Sequence, residues 1–399
     1  MSSTLAESSS EPPLFNRDFA LVIAVQLAYG YAFSTFFLLP KFVVTELGGG
    51  PRQVGMVGAL AVLMAVLSSP LCGYLLDRGP RRPLLLAGTL LGVISSLAYL
   101  GVHELGSYLY AARAVQGLSY TLFYVAAGTL IADQAPPSRL GQAIGWFGAA
   151  ALTMNAIATL IAERIAHDFG WNAVFATAAA VGVLGVVMAS FVREPARPAS
   201  TRASHEARPG LLAALPGKLG VMWAALAGGT AFGVLFTFTQ PFALSLGDTQ
   251  MAPLFAGYTA MALLVRLAFG RLADRLGRAR VSGTALAGYA LVVASAAALE
   301  RGWLAPLGLA FGLAHGAYYP ALNALALEGA ERDQRGSLSA YFNAAFNAGI
   351  LLVTLGLGPV AERYGYRAVF LLVALLVASG CPALWSRTRR KYLAGAAAE

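Results

Sequence analysis

Charged side chains are scarce in this chain of 399 residues. Asp, Glu, Lys and Arg make up 12% of it, whereas soluble globular domains carry ~25%. So few charges cannot cover a water-facing surface of this length. Hydrophobic residues make up 58%, and the mean hydropathy is +0.66. The composition therefore argues against an ordinary soluble protein and predicts one that lies in a membrane.

Several signatures of other protein classes are also missing. Cys72 and Cys381 lie in or at the end of apolar runs, so we expect neither a disulfide framework nor a metal site. The amino terminus, MSSTLAESSSEPPLFNR, lacks the charged-then-apolar order of a cleaved signal peptide. No phosphate-binding glycine loop, paired-histidine metal motif or serine–histidine arrangement stands out. We expect no cofactor and no enzymatic activity; a membrane enzyme or a non-transporting receptor is the remote alternative.

Long apolar runs recur along the chain, each near the ~20 residues that a helix needs to cross a bilayer. Twelve such runs lie at about 19–45, 53–76, 83–102, 107–132, 140–165, 171–192, 219–246, 252–274, 281–299, 303–328, 336–361 and 367–386. The one long polar segment, rich in proline, serine and arginine, separates six runs from six. We therefore expect a disordered tail (1–18), a six-helix bundle (19–192), a cytoplasmic linker (193–218), a second bundle (219–390) and a carboxyl-terminal tail (391–399).

The basic residues predict the orientation, because cytoplasmic loops are enriched in lysine and arginine. With a cytoplasmic amino terminus, 20 of the 28 basic residues fall inside and 6 fall outside. The remaining two, Arg113 and Arg266, fall within apolar runs. We expect a multi-pass protein of the plasma (inner) membrane with both termini in the cytoplasm. The net charge of +9 belongs to these loops, so nucleic-acid binding is not expected.

The two halves of the chain repeat one another. Gly73–Arg82 reads GYLLDRGPRR and Gly270–Arg280 reads GRLADRLGRAR, 197 positions apart. Gly170–Phe175 (GWNAVF) and Gly365–Phe370 (GYRAVF) are 195 apart. A repeat of six spans is the architecture of one large class of transporters.

These motifs resemble those of the major facilitator superfamily, and the resemblance covers residues 19–390. The family's loop after span two, G-x-x-x-D-R-x-G-R-R, is present as Gly73, Asp77, Arg78, Arg81 and Arg82, with Pro80 in place of its glycine. The second copy has Gly270, Asp274, Arg275, Gly277 and Arg278, and the span-four motif R-x-x-Q-G appears as Arg113, Gln116 and Gly117. The resemblance implies an all-α polytopic fold: twelve transmembrane helices in two pseudo-symmetric six-helix bundles around a central cavity.

The resemblance also implies a gating role for both copies of the loop. Asp77 would lie at the start of span eleven (336–339) and Asp274 at the start of span five (141–142), where a carboxylate meets the partial positive charge of a helix amino terminus. Gly73 and Gly270 would let helices approach closely at the cytoplasmic face. These contacts would close the cytoplasmic side while the cavity opens outward. The alternative is that the charges only fix topology and loop structure.

Polar and aromatic residues within the spans are the candidates for the cavity lining. An intramembrane charge costs ~2.5–3.5 kcal/mol on insertion scales and marks function by default, so Arg113 and Arg266 either meet a polar or anionic substrate or serve as hydrogen-bonded packing. His315 either carries a coupled proton or packs. The other candidates are Gln26, Tyr29, Phe33, Gln116, Tyr120, Tyr124, Asn155, Phe236, Gln240, Tyr319, Asn323, Asn343 and Asn347.

The leading functional hypothesis is a secondary active transporter that moves a small organic solute, by efflux, through alternating access. The alternative is an arginine-based carrier of organic or inorganic anions. No acid lies near the middle of a span, which disfavours coupling through a mid-membrane carboxylate, although a proton or other ion stays a candidate partner. Span five reads GAAALTMN from Gly148 to Asn155, without the G-P-x-x-G-G signature of drug/proton antiporters. We expect a monomer in the lipid bilayer.

We expect Asp77→Ala to leave the protein inserted while it sharply reduces transport, because the contact proposed for the closed cytoplasmic side would be lost. Transport per inserted molecule is the measurement. Normal transport at normal expression would contradict the gating role.

Overall fold

The fold is seen in a computed structural model that describes residues 14–194, 218–269, 275–329 and 335–386. Within these ranges the chain is helical and contains no strand. The helices are α1 (Arg17–Thr45, with a 3-10 turn at Phe36–Leu38), α2 (Pro51–Arg78), α3 (Arg81–Ala98), α4 (Ser107–Gln134), α5 (Leu140–Phe169), α6 (Trp171–Ser190), α7 (Leu219–Ser245), α8 (Ala252–Phe269), α9 (Arg278–Ala296), α10 (Leu304–Leu327), α11 (Arg335–Gly356) and α12 (Gly358–Ala378). The predicted tail 391–399 and most of the linker 193–218 lie outside the described residues.

Ten segments of the described chain are long and apolar enough to cross a membrane. The other two helices, α8 and α10, complete the twelve that the sequence predicts. Helix α8 is a shorter apolar helix. Helix α10 has 24 residues but is less apolar, because it contains His315, Asn323 and two prolines. The twelve-helix, all-α prediction is confirmed.

Three boundaries differ from the sequence expectation. The ordered chain begins before residue 19: Leu14 is buried, and the side chain of Asn16 accepts a hydrogen bond from the N–H of Phe19 (2.8 Å), which caps α1. Helix α11 ends at Gly356 instead of residue 361, and α12 starts before Pro359, which suits the first turn of a helix because its missing N–H needs no partner there.

The two halves share a backbone conformation at one pair of corresponding glycines. Gly170 (φ 81°, ψ 173°) separates α5 from α6, and Gly365 (φ 80°, ψ 167°) makes the equivalent break within α12. Both lie in the region of φ that favours glycine. The loop motifs are less alike: Gly277 has φ 92°, whereas Pro80, which replaces the family's glycine, has φ −67°. Because the proline ring fixes φ near −65°, the first loop takes a different backbone path.

Each half packs its helices in the same pattern. Helix α2 packs on α4 and α3 on α6 in the first half, as α8 packs on α10 and α9 on α12 in the second. The halves meet through α2 with α11 and α5 with α8. Successive helices run in opposite directions, so both ends of the described chain lie on one side, which we call the terminal face. The opposite side, with segments 46–50 and 246–251, is the distal face.

The structure is closed at the distal face. Gln240 of α7 donates from Nε2 to the backbone oxygen of Phe37 in α1 (2.7 Å), across the two halves. A Cβ on Gly55 of α2 would lie 2.2 Å from the backbone oxygen of Thr354 in α11. At the other end of α2 no atom of the described residues lies within 4 Å of a Cβ built on Gly73. Segments 270–274 and 330–334 lie outside the described part of the chain, so the close helix approach expected at Gly73 stays a prediction.

Glycine sets the closest helix contact of the second half. A Cβ on Gly229 of α7 would lie 1.9 Å from the backbone oxygen of Phe346 in α11, and one on Gly349 would lie 2.1 Å from that of Leu226. Small residues allow this approach where helices associate by packing.

We expect Gly229→Ala to lower the thermal midpoint of the purified protein, because α7 and α11 must move apart at a cost of ~1–3 kcal/mol. Gly288→Ala in α9 is the matched control, since no atom lies within 4 Å of its Cβ position. The control should keep or slightly raise the midpoint, as alanine favours a helix over glycine by ~1 kcal/mol. Equal midpoints for the two variants would refute the packing role.

Candidate functional site

Aromatic rings line the first half of the site. The rings of Tyr29 and Phe33 in α1 are stacked with centroids 6.1 Å apart, and Phe33 lies 4.9 Å from Tyr120 in α4. Tyr120 in turn lies 4.5 Å from Tyr124. Gln26 donates to the hydroxyl of Tyr124 (3.3 Å). The structure therefore brings together five of the candidates predicted from spans one and four.

A second aromatic group occupies the other half. His315 of α10 is buried, with its ring centroid 5.1 Å from Phe232 and 5.5 Å from Tyr319. Phe236 stacks on Phe232 at 4.3 Å. The hydroxyl of Tyr319 donates to Oδ1 of Asn343 in α11 (3.0 Å). Burial among these rings fits the packing alternative for His315.

The two intramembrane arginines have different surroundings. Arg113 donates from Nε to the backbone oxygen of Val57 in α2 (3.1 Å) and from Nη1 to Oε1 of Gln116 (2.5 Å). These bonds tie α4 to α2 and fit the packing alternative. Arg266 is half-buried, and its Nε atom has no hydrogen-bond partner among the described residues. Its Nη1 lies 3.9 Å from the Cβ position of Gly148 in α5, so the guanidinium sits between the halves.

Arg266 shares helix α8 with Tyr258, whose ring centroid lies 5.9 Å from that of His315 in the second aromatic group. No carboxylate of the described residues forms an ion pair with Arg266. A cation between the halves that lacks an anionic partner can bind an anionic or strongly polar solute.

Several predicted lining residues lie elsewhere or make other contacts. Gln240 is fully buried and joins the halves at the distal face, so its assignment to an open lining is wrong for this conformation. Asn155 of α5 accepts a hydrogen bond from Ser34 (2.9 Å). Asn323 and Asn347 are half-buried, and Oδ1 of Asn323 has no partner among the described atoms.

The arginines of the first loop contact other residues of the first half. Nε of Arg81 lies 2.7 Å from Oδ2 of Asp133 at the end of α4, and its backbone N–H donates to Glu194 (2.9 Å). Arg82 donates to the backbone oxygen of Ser190. The guanidinium of Arg78 lies 4.0 Å above the ring of Tyr74. These contacts anchor α3 to the ends of α4 and α6.

Much of the remaining predicted gate falls outside the part of the chain that the structure describes. The side chain of Asp77, and all of Gly270 and Asp274, lie there. Arg275 is exposed, and Arg278 begins α9. The gating role of this set stays a prediction.

Sequence reasoning missed the polar cluster at the distal face. Lys41 and Glu163 form an ion pair there (2.5 Å), and Glu163 also binds backbone N–H groups of the other half. Glu163 and Glu362 are the middle residues of two Ala-Glu-Arg triplets, 162–164 and 361–363, each of which lies shortly before the glycine at 170 or 365. That repetition was the available signal.

Twelve helices in two similar halves, with aromatic rings and a cation between them, define the protein as a membrane transporter. The chain belongs to the Major Facilitator Superfamily, whose family model matches residues 21–353 and 224–398. It is thus a multi-pass secondary transporter and not an enzyme.

Its relatives include transporters from several bacteria. The chain is 28% identical over 381 residues to the Multidrug resistance protein MdtG of Serratia proteamaculans (strain 568), covering 91% of each chain. It is 27% identical over 383 residues to MdtG of Dickeya zeae (strain Ech586), covering 91% of this chain and 92% of the relative.

Solved transporters share the fold at low sequence identity. The nucleoside transporter NupG has a TM-score of 0.74 at 14% identity, over 93% of this chain and 99% of its own. A POT family transporter in complex with a thioalcohol-conjugated peptide has a TM-score of 0.81 at 11% identity, over 94% and 96%. The human organic anion transporter MFSD10 (TETRAN) has a TM-score of 0.70 at 16% identity, over 94% of this chain and 100% of its own.

Proposed function

We propose that the protein exports small aromatic or amphipathic organic solutes across the plasma (inner) membrane. The observation that carries the proposal is the run of aromatic rings in both halves, from Phe33 and Tyr120 to Phe236 and Tyr319. No Asp or Glu lies near the middle of a span. The relatives named multidrug resistance proteins, which match over about nine-tenths of the chain, support export.

Aromatic lining suits a broad range of planar solutes. Ring faces and edges attract other rings in offset or edge-to-face geometries, a contact worth ~0.5–1.5 kcal/mol beyond area burial. Such contacts depend less on the position of a single polar atom than hydrogen bonds do. A site built from them, with few polar groups such as Asn343, accepts different solutes of similar shape.

The terminal face is assigned to the cytoplasm in this proposal. The basic residues on that side, 20 against 6, support the assignment through the positive-inside rule. One chain supplies both halves of the site, which supports a monomer as the working unit. The loops at Asp77 and Asp274 remain our proposed gate of the terminal face.

We expect cells that lack their own major exporters to accumulate less of a planar aromatic dye when they express this protein. Tyr120→Ala should raise the dye's apparent KM several-fold, since a ring contact of ~0.5–1.5 kcal/mol is removed. The measurement is energised dye efflux from preloaded cells at matched expression.

Tyr108→Ala is the matched control, because it removes an exposed tyrosine from the distal end of α4. Equal KM values for the Tyr120 and Tyr108 variants would contradict the aromatic site. No efflux of any dye in the panel by the unaltered protein would contradict the export proposal.

The second candidate function is transport of organic anions, and the guanidinium of Arg266, which has no carboxylate partner among the described residues, favours it. We expect Arg266→Ala to reduce uptake of an aromatic carboxylate into proteoliposomes by tenfold or more, because a charge-assisted hydrogen bond contributes ~1.5–3 kcal/mol. Arg266→Lys should retain part of the uptake. The neutral amide of the same acid is the matched substrate, and equal losses for acid and amide would refute a charge-specific role.

A further inference from the structure

A single carboxylate joins the two halves at the distal face. Glu163, six residues before the end of α5, accepts hydrogen bonds from the backbone N–H of Met251 (2.8 Å, at Oε1) and of Ala252 (2.7 Å, at Oε2). Ala252 is the first residue of α8 in the other half. The carboxylate therefore caps that helix from outside its own bundle, where the helix amino terminus favours negative charge.

Lys41 strengthens the same junction. Its ammonium group lies 2.5 Å from Oε1 of Glu163 within the first half, and it also donates to the backbone oxygen of Thr249 in the second half. The side chains of Lys41 and Glu163 are only 15% and 10% exposed. Water is largely kept away from the pair, so the contacts are screened less than those of a surface ion pair.

An acid of the second half makes a weaker version of the contact. Glu362, at the start of α12, accepts a hydrogen bond from the backbone N–H of Arg52 in the first turn of α2 (3.3 Å). Again a carboxylate of one half meets the first turn of a helix in the other. Glu362 is exposed and makes the longer bond, so the junction at Glu163 dominates.

These contacts exist only while the distal face is closed. Opening this face separates the end of α5 from the start of α8, so the N–H groups of Met251 and Ala252 lose the carboxylate that faced them and bind water instead. Asp248 differs in this respect: it accepts a hydrogen bond from Gly302 (2.8 Å), but both belong to the second half, so opening does not break the bond.

We propose that Glu163 is a gating residue of the transport cycle: its carboxylate, held by Lys41, stabilises the state that is closed at the distal face and sets how often that face opens. Glu362 makes a smaller contribution of the same kind. The inference needs alternating access, and it depends neither on the transported solute nor on the proposed orientation.

The test measures how often the distal face opens. Thr237 of α7 is 7% exposed and lies 3.5 Å from the Cβ position of Gly58 in the other half, so a cysteine there reacts with a maleimide only when the halves separate. Cys72→Ala and Cys381→Ala supply a background without other thiols. Phe169→Cys, at a position 77% exposed on the distal face, is a reference that shows from which side of sealed vesicles an impermeant maleimide must be added.

We expect Glu163→Gln to raise the labelling rate of Thr237→Cys at least about tenfold, because hydrogen bonds to a charged group are exchanged for weaker neutral ones. Lys41→Met should raise the rate too, and Glu362→Gln should raise it less than Glu163→Gln. Asp248→Asn is the matched control. Its labelling rate should stay within about twofold of the parental rate, because the hydrogen bond between Asp248 and Gly302 is kept when the face opens.

A parental labelling rate for Glu163→Gln, or an equal increase for Asp248→Asn, would overturn the proposal. Thermal midpoints of the purified variants show whether a faster rate reflects opening or a damaged fold. Should Glu163→Gln fail to fold, Lys41→Met decides in the same way, and an unchanged rate there overturns the proposal. Labelling of the reference cysteine from the cytoplasmic side only would refute the assignment of the terminal face to the cytoplasm and leave this test intact.

Discussion

Hydrocarbon offers no hydrogen bonds, and this constraint governs the structure. Every backbone N–H and C=O inside a bilayer must find a partner in the protein, so the spans are helices. Unpaired backbone groups then remain only at helix ends. Charged side chains are expensive within the bilayer and collect at the same ends. Helix ends and charged side chains thus meet at the two faces, which are the places that must open and close.

The contact between a carboxylate and a helix amino terminus suits a gate. The N–H groups at a helix start can bind a carboxylate or water, so breaking the contact exchanges one partner for another and leaves no buried group unsatisfied. Glu163 uses this chemistry between α5 and α8, and Glu362 uses it between α12 and α2. Family resemblance assigns the same chemistry to Asp77 and Asp274 at the terminal face.

Much of the fold was predictable, because the composition and the length of the apolar runs show that the helices lie in hydrocarbon. Twelve apolar runs indicated the helices, and the similar hexapeptides that begin at Gly170 and Gly365 indicated the duplication. The exceptions have local causes. Pro359 moved the end of α11, and the cap at Asn16 moved the start of α1. At Pro80 the sequence shows the departure from the motif, but the altered backbone path is visible only beside Gly277 in the structure.

The site was less predictable, because contacts between residues of different halves do not appear as a pattern in the local sequence. Helical spacing correctly places Tyr120 and Tyr124 on one face of α4, because residues four apart in a helix are neighbours. Whether an arginine finds a hydrogen-bond acceptor depends on residues far away in the sequence. The backbone oxygen of Val57 accepts from Nε of Arg113, whereas Nε of Arg266 has no acceptor among the described residues. The partners of Glu163 in the other half are backbone N–H groups, which any residue type except proline can provide.

The missing acid at mid-span has a mechanistic consequence. A transporter with a buried carboxylate can neutralise it with a proton and so couple solute and proton at one place. Here no Asp or Glu lies near the middle of a span, and the cation of Arg266 lies between the halves without a carboxylate partner among the described residues. An anionic solute would neutralise that charge as it binds, which lowers the cost of moving the site past the apolar surfaces between the halves. The solute would then supply the compensation that a proton gives elsewhere, so occupancy of the site by an anion, more than protonation of an acid, would permit the halves to exchange positions.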